Sequence, residues 1–206
     1  VGHTKGRSHV AGQASRGVFP KMAGELFRIG KGKKVTGLDP SKLKKEIRDE
    51  WSGRRKGKIK GRNSVNSKKI DPHDPNLNAR DRELVDAIRD ARKQLGNDKP
   101  GSNFAAIRYI DGNGEERILV THNRGMHSER YGANYLLDDG VPNGNIKDVL
   151  SERSPCILSP CCDGWLGEHT SGANVKHIVD YQIGDNAGKN HRANTQMRHW
   201  TRSIFG

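Results

Sequence analysis

The chain has little of what a large packed domain is built from. Apolar residues make up 32% of its 206 positions and aromatics 5%, while 30% are charged. That composition cannot fill one core from end to end, so part of the chain is expected to be extended or loosely packed. No apolar run approaches the roughly 20 residues that a membrane helix needs, so no membrane partner is expected. No N-terminal signal pattern is present. The chain begins at Val1, which suits a piece of a longer protein whose targeting signal lies elsewhere. Cysteine is scarce too: there are three, Cys156, Cys161 and Cys162. An odd number so tightly spaced is a poor disulfide framework, and a metal site accounts for the clustering better.

Acidic residues are scarce in one region only. Residues 1–70 hold 20 Lys/Arg against 5 Asp/Glu, whereas residues 71–206 hold 17 against 19. The formal charge of +13 therefore belongs to the first third. Such a segment attracts polyanions by displacing their condensed counterions, although basic runs are as often solvated tails. Within it, Val18, Phe19, Met22, Leu26, Phe27 and Ile29 suit a short amphipathic turn or two, and a helix is expected from about Ser41 to Trp51. The run from Gly53 to Arg62 is too charged and too rich in glycine to pack. Pro72 and Pro75 mark a linker. We divide the chain into a basic N-terminal segment or linker, 1–80, which is a candidate nucleic-acid contact, and a folded domain, 81–206.

From Asp81 onward the texture changes. Leu84, Val85, Ile88, Ala91 and Leu95 share one helical face, and Gly96-Asn97 ends that helix. Strands are expected at Phe104–Ile110 and Arg117–Thr121, joined by the turn Asp111-Gly112-Asn113-Gly114. A helix follows from about His127 to Leu137, then a strand from Val149 to Arg153, a short helix near Cys162, a strand from Val175 to Gln182 and a closing helix from Asn190 to Phe205. A hairpin followed by strands alternating with helices gives an α/β layered sheet.

Two short motifs carry the chemistry: His127-Ser128-Glu129, then Pro155-Cys156 followed by Cys161-Cys162. A zinc-dependent nucleobase deaminase needs groups in this order, one imidazole and two thiolates on Zn2+ and a carboxylate that moves protons without binding it. His127 and Cys156 are the first two candidate ligands. The third is Cys161 or Cys162, and Cys162 is favoured because Leu166 then anchors the helix one turn later. Glu129 is the candidate general acid and base for water activated on the metal. A structural zinc site or buried free cysteines would leave Glu129 without a purpose. Four further residues are candidate substrate contacts. Asn123 can bond the sugar or base, and is equally apt as a turn residue beside Arg124-Gly125. Ser154 can reach a base edge. His122 can stack on a base or cap a strand. Trp165 can be a stacking platform, although a tryptophan placed there is more often core.

Three segments resemble the deaminase superfamily, and more narrowly the C-terminal deaminase domains of bacterial polymorphic toxins. These are Met126-His127-Ser128-Glu129-Arg130, the stretch Ser151-Glu152-Arg153-Ser154-Pro155-Cys156, and the region from Val179-Asp180-Tyr181 through Asn194 to Phe205. The resemblance covers about residues 81–206. It implies a cytidine-deaminase-like fold, a layered mixed sheet flanked by helices, preceded here by the basic, partly extended N-terminal segment. It also implies hydrolytic conversion of cytosine to uracil in DNA, single- or double-stranded, by a toxin secreted or injected into a target cell, acting in that cell's cytoplasm and blocked by a cognate immunity protein. Deaminases usually space the thiolates as Cys-x-x-Cys, and here four or five residues intervene. The alternatives are RNA or a free nucleotide as substrate, or a non-catalytic zinc module that binds nucleic acid through the basic arm. A metal-dependent nuclease built on His122, Asn123 and His127 leaves the cysteines unexplained.

Overall fold

The computed structural model describes residues 26–29, 35–38, 64–122, 127–158, 161–182 and 191–206, and of 26–29, 35–38 and His191 the backbone alone. Asn123 and the helix expected from Ser41 to Trp51 lie outside the described residues. The strands are β1 (Leu26–Ile29), β2 (Val35–Leu38), β3 (Lys68–Lys69), β4 (Phe104–Ile110), β5 (Glu116–His122), β6 (Ile146–Arg153) and β7 (Asn174–Val179). The helices are α1 (Ala79–Leu95), α2 (Ser128–Asp138), α3 (Cys162–His169) and α4 (His191–Phe205). The strands form one mixed sheet in the order β2-β1-β5-β4-β6-β7-β3. β6, β7 and β3 run parallel; the other pairings are antiparallel.

The period-2 pattern of β4 sends side chains to two cores. Phe104 and Ala106 meet Leu84, Val85, Ile88 and Ala91 of α1 and Met197, Trp200 and Ile204 of α4. Ile107 and Tyr109 meet Tyr131, Ala133 and Leu136 of α2 and Trp165 and Leu166 of α3. The fold is therefore three-layered, with α1 and α4 on one face of the sheet and α2 and α3 on the other. The α/β architecture expected from the sequence is the one observed.

Local chemistry sets the element ends. Asn78 caps α1 by accepting a hydrogen bond from the Asp81 backbone at 2.8 Å, and Gly96 closes it in the left-handed conformation at φ 60°. In the β4–β5 turn, Asp111 accepts from the backbones of Asn113 and Glu115, and Gly114 supplies a φ of 76°. β6 begins three residues before the expected Val149. Its polar start is admitted because Arg108 and Arg80 neutralise Asp148, at 3.0 and 3.1 Å. β7 stops at Val179 rather than Gln182, since Tyr181 is drawn aside by Ser154 and Gln182 takes a positive φ of 56°.

The first 80 residues contribute strands that composition did not suggest. Leu26–Ile29, expected within an amphipathic turn, pairs with β5 as strand β1. At the opposite edge β3 pairs with β7, and a relay fastens it there: the Ser67 hydroxyl lies 2.7 Å from His177 Nδ1, and His177 Nε2 lies 2.6 Å from Asp180.

A candidate metal centre at two helix starts

The site lies where α2 and α3 begin, on the sheet face they cover. β5 delivers the chain toward α2, and Thr121 at its end donates a 2.6 Å hydrogen bond to the Ser128 carbonyl. His127 is the residue that caps α2, and Glu129 lies in its first turn. β6 delivers Pro155-Cys156, and the chain loops to Cys162, the first residue of α3. The Cys156 carbonyl accepts from Asp163 N at 3.1 Å, and Cys156 Sγ accepts from Cys162 N at 3.2 Å. The loop is thus closed on itself by the helix N-terminus, whose unpaired N–H groups favour a thiolate.

This geometry brings His127, Cys156 and Cys162 together, their ligand atoms all within 4.8 Å of one another. Cys156 Sγ lies 3.5 Å from His127 Nδ1. Cys161 stands outside that cluster, half-buried, with its backbone left-handed at φ 55°. A tetrahedral zinc with bonds of roughly 2.0–2.3 Å sets its ligand atoms roughly 3.5–3.8 Å apart, so one imidazole and two thiols at these separations fit that ion.

The electrostatics suit the same use. The Cys156 thiol is lowered to about 4 by the hydrogen bond from Cys162 and then that from His127, against burial. Burial pushes Cys162 well above the ordinary thiol range. Of the two, Cys156 is the thiol that ionises first. His127 is penalised by desolvation, yet contact with Cys156 and the charge of Glu129 leave it raised. Glu129, 2% exposed, is raised by burial, with His127 opposing. A carboxyl raised in this way holds a proton more readily than an exposed one, which suits a group that takes up and hands on protons.

The other sequence candidates are placed as follows. His122 is buried at the end of β5 and stacks on Phe104, centroids 4.9 Å apart. Ser154 is buried, and its hydroxyl donates to the Tyr181 carbonyl at 2.9 Å and accepts from Tyr181 N at 2.8 Å. Trp165 has no exposed surface; it packs in the core under Arg130, whose guanidinium carbon lies 5.3 Å from the ring centre. Neither Ser154 nor Trp165 is brought into the cluster.

Sequence reasoning missed two supports. Asn103 donates to Ser128 Oγ at 2.8 Å and to Ser151 Oγ at 3.0 Å, and accepts from Arg153 N at 2.7 Å. One buried amide thus ties the end of β6 to the start of α2, next to Glu129. Arg130, fully buried, lies near enough to Cys162 and His127 to oppose protonation of both. Asn103 sits in a Gly-Ser-Asn stretch that reads as a turn, so its sequence context gave no signal.

Residues 100–199 match the family model described as Xanthomonas-like deaminase. This stretch is a deaminase domain. It contains the candidate metal cluster and Glu129, and it begins just before β4. No curated protein and no solved structure matched the chain.

Proposed function

We propose that this deaminase domain is a zinc-dependent hydrolase that converts cytosine to uracil in DNA, as the toxic end of a secreted or injected effector held in check by an immunity protein. The observation that carries the zinc chemistry is the convergence of His127, Cys156 and Cys162 beside buried Glu129. Zinc held by those three side chains would supply the Lewis acidity that makes water acidic near neutral pH. Glu129 would accept a proton from the attacking water and pass it to the ring nitrogen, then take the second proton from the added hydroxyl and give it to the leaving amine. Water adds to the amine-bearing ring carbon, the carbon–nitrogen bond breaks, and ammonia departs. Asn103, through Ser128, would hold the first turn of α2 in register for that transfer.

A polymer substrate is supported by the charge of the chain, +13 overall, since a free nucleoside gains little from a long cationic segment. Duplex DNA would require the target base to be flipped, which favours single strands. The test is a side-by-side assay of single-stranded DNA, duplex DNA, RNA and free cytosine nucleosides, reading uracil or uridine by mass. Uracil in DNA at the greatest rate supports the proposal. Conversion of RNA or of free nucleosides alone, with zinc bound, would reassign the substrate.

A further inference from the structure

Among the described residues, the exposed large apolar side chains are Ile157, Leu158 and Phe205. Phe205 stands apart from the other two on the last turn of α4, and a lone exposed apolar side chain is ordinary. Ile157 and Leu158 are different: they are adjacent, 48% and 47% exposed, and they follow Cys156 directly. The Cα of Ile157 is therefore ~3.8 Å from that of a candidate ligand.

This tip is held out by the fold. Gln182 Oε1 accepts from the backbones of both Ile157 and Leu158, each at 3.1 Å. Cys161 N donates to the Leu158 carbonyl at 2.6 Å. The Ser154 hydroxyl, two residues before the cysteine, donates to the Tyr181 carbonyl and accepts from Tyr181 N, beside Gln182. Cys161 and Gln182, at φ 55° and 56°, are two of the three non-glycine residues with positive φ among the described residues. Left-handed backbone is costly for such residues and persists where the surroundings impose it, commonly beside functional sites. Cys156 and Cys162 stand three residues further apart than in Cys-x-x-Cys, and the segment that leaves Cys156 opens with two braced apolar side chains that face solvent.

We propose that Ile157 and Leu158 form an apolar wedge that packs against the nucleobase neighbouring the target base in a nucleic-acid strand, and so set flanking-base selectivity. The proposal rests on the polymer-substrate reading above. A base has an apolar face whatever its identity, and apolar side chains inserted beside a base step are a common way to part it. The partner is a strand rather than a protein because the chain is strongly cationic and the tip adjoins the reacting centre, where the neighbours of a bound target base must lie.

The test compares wild type, Ile157→Ser/Leu158→Ser, each serine single variant, and the apolar Ile157→Leu/Leu158→Met. Substrates are single-stranded oligonucleotides of one length in which every base flanks the cytosine on either side, together with free deoxycytidine. Zinc content and melting temperature identify folded variants, and a single serine variant serves where the double one does not fold. In the serine variants the spread of kcat/KM across contexts should shrink by about tenfold, mainly through KM for the preferred contexts, while the apolar pair keeps the wild-type profile. A folded serine variant with the wild-type profile and KM overturns the wedge and marks the tip as a protein contact. Wild type that acts on strands without flanking preference overturns the wedge alone. Wild type that deaminates deoxycytidine and no strand overturns the polymer reading, and the wedge with it.

Discussion

At the residue scale the site depends on two distinctions that single substitutions resolve. Cys162, not Cys161, lies with His127 and Cys156. Cys162→Ser should therefore lose bound zinc, while Cys161→Ser should keep about one equivalent, read by metal analysis of purified protein; the reverse result would move the third ligand. Asn103 is a positioning residue. Asn103→Ala removes hydrogen bonds to Ser128 and Ser151 and strands the Arg153 N–H, so kcat should fall about tenfold or more with zinc content unchanged. An unaltered kcat would deny Asn103 that role. The motifs His-Ser-Glu and Pro-Cys were legible because their chemistry is local to the chain. Asn103 and Gln182 were not, because each acts on segments far away in sequence and nothing around them differs from an ordinary turn residue; Arg130 stands in the motif itself, but its burial over Trp165 is supplied by α3.

At the element scale the amphipathic helices and the β4–β5 hairpin were legible, since each has one consistent period and a clear stop. The errors arose where tertiary partners override local character. Asp148 looks like a loop residue until Arg108 and Arg80 neutralise it. Against the burial that would raise it, hydrogen bonds from those arginines hold its carboxyl below the usual carboxylate range. A group lowered in the folded state adds stability above its unfolded pKa, and that stability is lost as pH falls through the folded value. Melting temperature should thus drop below about pH 4, and Asp148→Asn should be less stable at neutrality with a shallower acid limb; parallel acid limbs would contradict this. Gly132 of α2 is another place where contacts distant in sequence decide the residue. A Cβ there would lie 2.7 Å from Ile107 Cδ1 and 3.0 Å from Thr121 Cγ2, and Thr121 is the residue that fastens the start of α2. Gly132→Ala should cost about 1–3 kcal/mol by chemical denaturation.

At the scale of the whole molecule, the division at residue 80 describes charge better than architecture. β1, β2 and β3 come from the basic third of the sequence and lie in the same sheet as the deaminase strands. Deleting residues 1–70 would remove strands along with charge, so the electrostatic role is better probed by substitution. Replacing Arg54, Arg55, Lys58 and Lys60 with Gln should weaken binding to single-stranded DNA and flatten its dependence on salt, by about 0.7 in log–log slope for each phosphate no longer neutralised. An unchanged slope would make the segment a linker rather than a grip. The three strands escaped sequence reasoning because they are short and sit among glycines and lysines, and their pairing is supplied by strands far along the chain.

The central claim is that His127, Cys156, Cys162 and Glu129 form one hydrolytic deaminase centre. Its most direct test is release of ammonia and formation of uracil within cytosine-containing single-stranded DNA by wild type and by Glu129→Ala, with zinc content measured on the same samples. The expected outcome is equal zinc in both proteins and uracil from wild type, with a fall of at least about a hundredfold in the variant. Wild-type rates from zinc-loaded Glu129→Ala would contradict the claim, since the proton shuttle would then lie elsewhere.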